Sequence, residues 1–155
     1  MKKQFFENEK DGFYGTYYEN PKGADCAVIG LFGDDPNDYM AKCGAKWLHR
    51  NGVNVLCTSP GRKNYSHVNY PLERIETAIK WLQNHGNCKI GIMGISTTGM
   101  DALVAASYFP DITLTVSFTG SDFVGQGFEQ GKKDGCKEWP VPNASTLSWK
   151  GAPLA

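Results

Sequence analysis

Apolar positions along this chain arrive in two rhythms, short unbroken runs and wider stripes at helical spacing, and the two alternate. The first segment carries two aromatic-rich runs, Gln4 to Glu7 and Phe13 to Tyr18, around the polar, glycine-ended connection Asn8-Glu9-Lys10-Asp11-Gly12. That arrangement predicts an antiparallel hairpin. Asn20-Pro21-Lys22-Gly23 then turns the chain into Cys26-Ala27-Val28-Ile29-Gly30-Leu31-Phe32, a run without alternation, as expected of a strand covered on both faces. Between Asp38 and Asn51, apolar residues fall at Tyr39, Met40, Cys43, Trp47 and Leu48, a helical stripe closed by Gly52. Val53 to Thr58 repeats the buried-strand pattern, and a polar loop runs from Ser59 to His67.

Pro71 suits the opening of a second helix, because the first turn needs no amide donor there, and Leu72, Ile75, Ala78, Ile79 and Leu82 make its apolar face before Gly86. Lys89 to Met93 predicts a further strand. Thr97 to Tyr108 predicts a helix with Met100, Leu103, Val104 and Ser107 on one side and Pro110 as its stop, and Ile112 to Phe118 a last strand. Strands separated by helices imply right-handed crossovers and a mostly parallel sheet with helices on both faces, an α/β fold. After Thr119 the pattern dissolves into Gly120, Gly125, Gly127, Gly131 and Gly135 among charges, then Trp139-Pro140-Val141-Pro142. No period emerges, so the expected organisation of this single domain, residues 1–155, is a hairpin and turn (1–24), a core (25–118) and an irregular tail (119–155).

Composition narrows the class without choosing within it. The chain has 155 residues, 41% of them hydrophobic, enough for one domain burying roughly 70% of its unfolded surface. Sixteen basic and sixteen acidic residues cancel, and no basic stripe appears, so nucleic acid and anionic membrane are not expected partners. The basic start, Met1-Lys2-Lys3-Gln4-Phe5-Phe6, has too short an apolar run for a signal peptide or a membrane span, and a cytosolic location is expected. Five cysteines, Cys26, Cys43, Cys57, Cys88 and Cys136, are scattered, and three lie in or beside apolar runs, which suits buried, reduced thiols. No Cys-x-x-Cys or histidine pair suggests a metal, and no cofactor is expected.

The chemistry concentrates in Lys89-Ile90-Gly91-Ile92-Met93-Gly94-Ile95-Ser96-Thr97-Thr98-Gly99, an apolar strand that turns on glycine and serine into a helix. It reads as a nucleophile elbow, in which a strained turn holds a serine hydroxyl out at the carboxyl edge of the sheet. Serine is also a favoured helix N-cap. Strand, Gly-x-Ser, small residue and helix in one frame, after two strand and helix units, favour the elbow. Acyl transfer also needs donors for the oxyanion. One is the amide of Thr97 at the helix N-terminus, and the other comes from Phe32, Gly33 or Asp34 after the Cys26 to Phe32 strand. Thr98 stands where the motif usually has glycine, which is displaced to Gly99.

Other candidates have plainer readings. His49 and His85 end helices and face solvent, whereas His67 lies in a loop that could approach the site. Asp34-Asp35 and Asp38 read as capping and solvation of the next helix, with a lesser case for binding a cation, and Arg62 and Lys63 as a solvated loop with a lesser case for phosphate contact. Gly125-Gln126-Gly127-Phe128-Glu129-Gln130-Gly131 imitates a dinucleotide fingerprint, but its spacing is wrong and no apolar helix follows, so a loop is expected.

Ile90-Gly91-Ile92-Met93-Gly94-Ile95-Ser96, the helix after it and Leu114-Thr115-Val116-Ser117-Phe118-Thr119-Gly120 resemble the catalytic domain of the acyl-CoA thioesterase and bile acid-CoA:amino acid N-acyltransferase family, relatives of dienelactone hydrolases. Tyr70-Pro71-Leu72-Glu73-Arg74-Ile75-Glu76 to Trp81-Leu82 resembles the helix before the elbow, and Ile29-Gly30-Leu31-Phe32-Gly33 the oxyanion strand and loop. The resemblance implies the N-terminal portion of an α/β-hydrolase fold. It also implies that Ser96 favours hydrolysis of a thioester or ester, a cysteine there being associated with transfer to an amine. The family's acid and histidine follow a further strand, and neither position exists here. Asp122, just past the last strand, reads first as a turn residue and is otherwise the one carboxylate placed to serve as the acid, and all three histidines precede Ser96.

The expectation is therefore a serine hydrolase acting on small acyl thioesters or carboxylic esters through an acyl-serine, inactive as this chain alone because the base is missing. The alternative is a non-catalytic binding module on the same scaffold. Ile112 to Phe118 would be an open sheet edge, which predicts a homodimer or a missing companion segment.

Overall fold

The structure is a computed structural model that describes residues 2–33, 35–59, 66–130 and 138–154. Strands β1 (Lys2–Phe6) and β2 (Gly15–Glu19) form the expected antiparallel hairpin. Their connection holds a single helical turn, α1 (Asn8–Asp11), ended by Gly12 at φ +80°. The alternation that follows is β3 (Cys26–Leu31), α2 (Tyr39–Arg50), β4 (Asn54–Thr58), α3 (Glu73–Asn84), β7 (Lys89–Ile95), α4 (Thr97–Tyr108) and β8 (Ile112–Phe118). Between β4 and α3 lie two short strands, β5 (Ser66–His67) and β6 (Tyr70–Pro71). The main sheet has the order β1-β2-β4-β3-β7-β8, with β4, β3, β7 and β8 parallel and the hairpin antiparallel at one edge.

Period-two alternation explains why the central runs looked uniformly apolar. Tyr17, Ile29, Leu31, Leu56, Ile90 and Ile92 pack on one face, under α3 and α4. Tyr18, Val55 and Cys57 pack on the other, with Val28, Met93 and Ile95 against them, under α2. Both faces of the central strands are thus covered by helices, and their buried apolar residues are drawn into one of two cores.

Several local expectations change. Pro71 does not open α3: Tyr70–Pro71 pairs with Leu147–Ser148, the Leu72 amide donates to the Ser148 carbonyl at 3.0 Å, and the helix starts only at Glu73. The segment after Thr119 is not wholly irregular. It carries β9 (Gln126–Gln130), β10 (Glu138–Ser145), β11 (Leu147–Trp149) and β12 (Ala152–Pro153) in two small sheets, β10-β9-β5 and β12-β11-β6. Of these, β9 and β11 pair with residues 66–71, far away in sequence, while β10 and β12 pair with β9 and β11, so no local period announces them. The glycine-rich imitation of a dinucleotide fingerprint is accordingly strand β9 over Gln126–Gln130, with Gly131 outside the described residues.

The cysteines depart from expectation too. Cys57 is buried, Cys26 half-buried, and Cys43 and Cys88 exposed, all four free thiols. Cys136, like Asp34, Arg62 and Lys63, lies outside the described residues. Asp38 caps α2 as its place in the sequence suggests, Oδ1 accepting from the Ala41 amide at 2.7 Å. Among the described residues no helix is long and apolar enough to cross a membrane.

Candidate active site

Strand β7 ends at Ile95, and Ser96 follows at φ +56°, ψ −126°. A non-glycine residue rarely adopts that conformation, which costs on the order of 1–3 kcal/mol and persists only where its surroundings enforce it. Here they do. The Ser96 amide donates to the Phe118 carbonyl at 2.8 Å, while the Ser96 carbonyl accepts from Gly99 at 2.9 Å and Met100 at 3.2 Å. The backbone is clamped between the end of β8 and the first turn of α4, and the Ser96 side chain is exposed. Ser96 also makes no side-chain capping bond to α4, so helix capping does not account for it.

Two glycines permit this geometry. A Cβ at Gly94 would overlap the Thr98 carbonyl, so the position two before the serine admits no side chain. A Cβ at Gly99 would lie 2.9 Å from Ser117 Oγ and 3.0 Å from the Phe118 carbonyl, so α4 approaches the end of β8 through glycine. The displaced glycine of the motif therefore has its own function as a helix-to-strand contact. Thr98, in the usual glycine position, is buried, and its hydroxyl lies 2.6 Å from the Leu31 carbonyl, 2.8 Å from the Ile95 carbonyl and 3.0 Å from the Ile95 amide.

Leu31 is in register with Gly94, so Phe32 and Gly33 leave the sheet at the same edge as Ser96. Phe32 is buried over Gly30 and Gly44, where a Cβ at either position would collide with its ring. Gly33 takes φ +146°, outside the range comfortable for other residues, with a Cβ there falling 2.9 Å from Asp38 Oδ2. At the start of α4 the amides of Thr97 and Thr98 precede the first intrahelical bonds and, by helix geometry, have no acceptor within the helix. The elements carrying Ser96, Thr97, Phe32 and Gly33 thus converge on one edge of the sheet.

A groove of about 330 Å³ opens beside Ser96, lined also by Thr97, Met100, Thr119, Phe123, Phe128 and Thr146. A second groove of about 180 Å³ shares Met100, Ser121 and Phe123 with it and runs along Leu103, Val104 and Ser107 to Asp122. This corrects the apolar side expected of α4. The helix buries Thr98, Met100, Asp101, Ala102 and Ala105, whereas Leu103 and Ser107 are exposed along the groove. Asp122 is exposed in the loop after β8, on the far groove from Ser96.

The histidines divide. His49 Nε2 lies 3.1 Å from the Glu19 carbonyl, and His85 stacks on Trp81 at 3.8 Å between ring centroids, both near the surface. His67 is 1% exposed, stacked on Phe128 at 5.0 Å, with Nδ1 3.7 Å from Oδ2 of the equally buried Asp101. Burial pushes His67 down to about 4 and Asp101 up to about 8, so at neutral pH the pair holds one proton and no net charge. Asp101 Oδ1 is buried with no hydrogen-bond partner among the described residues. The sequence carries one signal of this pair, a lone carboxylate inside the apolar stretch Met100 to Ala106 of α4.

A parallel sheet with helices on both faces and a serine held at positive φ between strand and helix defines the scaffold of an α/β-hydrolase. Residues 70–149 match the family described as BAAT / acyl-CoA thioester hydrolase C terminal, and the chain belongs to that family. Similar solved structures include Est1E from Butyrivibrio proteoclasticus, at TM-score 0.57 and 15% identity over 76% of this chain and 50% of that one. A second Est1E structure, with ferulic acid bound, gives 0.56 and 17% over 71% and 50%. A protein assigned as a dienelactone hydrolase from Klebsiella pneumoniae gives 0.54 and 15% over 88% and 65%. The chain therefore spans half to 65% of the length of these structures. No curated protein sequence matches it.

Proposed function

We propose that this chain, as one domain over residues 1–155, carries the nucleophilic half of a cytosolic serine hydrolase that cleaves small acyl thioesters or carboxylic esters through an acyl-serine at Ser96. The observation that supports it most is the enforced backbone of Ser96, φ +56° with an exposed side chain, since a serine serving only as a cap has no need of that conformation. In this reading Ser96 Oγ attacks the acyl carbon while its proton passes to a base. The carbonyl oxygen, now negative, is held by the Thr97 amide and by an amide from Phe32 or Gly33. Collapse breaks the bond to the alkoxide or thiolate leaving group, which takes the proton, and water then releases the acid by the same route.

The base is what this chain does not supply. No histidine follows Ser96, and His67 is 1% exposed and engaged with Asp101 and Phe128. Without a base from outside these 155 residues, turnover at Ser96 is expected to be slow, because loss of the base costs several orders of magnitude in rate. A second reading is a binding module that keeps the hydrolase groove without catalysis. Asp122, the acid in the hydrolase reading, is exposed on a groove whose lining includes no histidine. We also propose that β8, a seven-residue sheet edge without charge or proline, pairs with β8 of a second copy.

A fluorophosphonate probe tests the nucleophile, with imidazole added as the missing base. Labelling confined to Ser96, accelerated by imidazole and abolished in Ser96→Ala, supports the hydrolase. A folded chain that never labels, with or without imidazole, leaves the binding module.

A further inference from the structure

We propose that Thr98 is a positioning residue that locks the elbow to the oxyanion strand; this rests on the Ser96 reading above. The pairing of β3 with β7 ends in register at Leu31 and Gly94, because β7 turns away into the elbow immediately after Ile95. The Leu31 carbonyl belongs to the last residue of that pairing, which is 3% exposed. A buried carbonyl needs a partner, and the Thr98 hydroxyl supplies one at 2.6 Å, across 67 residues of sequence.

The same oxygen accepts from the Ile95 amide at 3.0 Å, the residue before the serine. One hydroxyl proton cannot serve both the Leu31 and the Ile95 carbonyls, and the shorter contact is to Leu31. Thr98 Oγ1 thus joins the backbone on either side of the site. On one side lies the turn that presents Ser96 and the Thr97 amide, on the other the last strand residue before Phe32 and Gly33. Glycine at this position, as the motif usually has, would leave the two oxyanion donors on elements joined only by the sheet. Gly94 completes the clasp, since the Thr98 carbonyl occupies the space a Cβ there would need.

Three variants separate this role from packing: Thr98→Ser keeps the hydroxyl, Thr98→Val keeps the shape, and Thr98→Gly restores the usual motif. With the fluorophosphonate and imidazole, Thr98→Val and Thr98→Gly are expected to lower the maximal labelling rate at Ser96 on the order of 10- to 100-fold. The half-saturating probe concentration should stay unchanged, and Thr98→Ser should retain the parent rate. Amide hydrogen exchange gives a readout independent of labelling: the Leu31 to Gly33 segment should exchange faster in Thr98→Val and not in Thr98→Ser. Parent-like labelling by Thr98→Val, or unchanged exchange in that segment, overturns the proposal while leaving Ser96 as nucleophile. Failure of the parent chain to label overturns both.

Discussion

Replacing Asp101 by Asn removes one titrating group from the interior and should change how stability depends on pH. Asp101 is 2% exposed, beside His67 at 1%, with 3.7 Å between Oδ2 and Nδ1. In the unfolded chain the carboxyl loses its proton near 3.8 and in the fold near 8. The folded state therefore holds the extra proton between those values, and this contribution to stability, complete below 3.8, is lost as pH rises through about 8. His67 has the opposite sign. Its value falls from 6.5 to about 4 on folding, so its contribution is present above 6.5 and is lost as pH falls through about 4. From pH 4 to 6.5 the two offset each other, and above 6.5 Asp101 acts alone. At about 1.4 kcal/mol per pH unit, the pair should cost the parent chain about 1–2 kcal/mol between pH 6.5 and 8, since both titrations are half complete at the ends of that window. Urea denaturation of parent and Asp101→Asn across pH 4 to 8 isolates the effect, because every other titrating group is common to both. The parent's stability relative to the variant should decline steadily with rising pH. A difference between the two chains that does not vary with pH refutes the reasoning.

Gly94→Ala places a Cβ on the Thr98 carbonyl and should destabilise the chain by about 1–3 kcal/mol in the same assay, together with slower labelling at Ser96; a neutral result contradicts the close approach. Leu114, 60% exposed on the edge strand, is the place to test association. Sedimentation should show a dimer of the parent chain and a monomer of Leu114→Lys, and a parent chain that stays monomeric at all concentrations removes the proposed β8 pairing.

Much of the scaffold was legible from periodicity because its segments are self-sufficient signals. The strand from Ile112 to Phe118 and the helix from Thr97 to Tyr108 appear at the expected residues, each bounded by local punctuation such as Pro110. Helix α2 runs one residue inside Asp38 and Asn51, with Asp38 as its cap. What escaped was pairing between distant segments. Pro71 reads as a helix start by every local rule, yet β11 captures it as a strand, and β9 looks featureless until β5 is set on one side of it and β10 on the other. The stripe Met100, Leu103, Val104 and Ser107 has helical spacing but borders a groove, because periodicity reports that a face is apolar and not what covers it.

The elbow shows the same division. The order of residues alone determined that a buried strand would break on Gly94 and turn through Ser96 into a helix, since glycine, serine and an apolar run act within a few residues of one another. Only the tertiary structure decided that Thr98, an apparent departure from the motif, reaches the Leu31 carbonyl, and that His67, a loop histidine by sequence, is sealed against Asp101 and Phe128. A hydroxyl or an imidazole has no fixed role until a partner from another part of the chain is in contact with it, and sequence spacing carries no record of that contact.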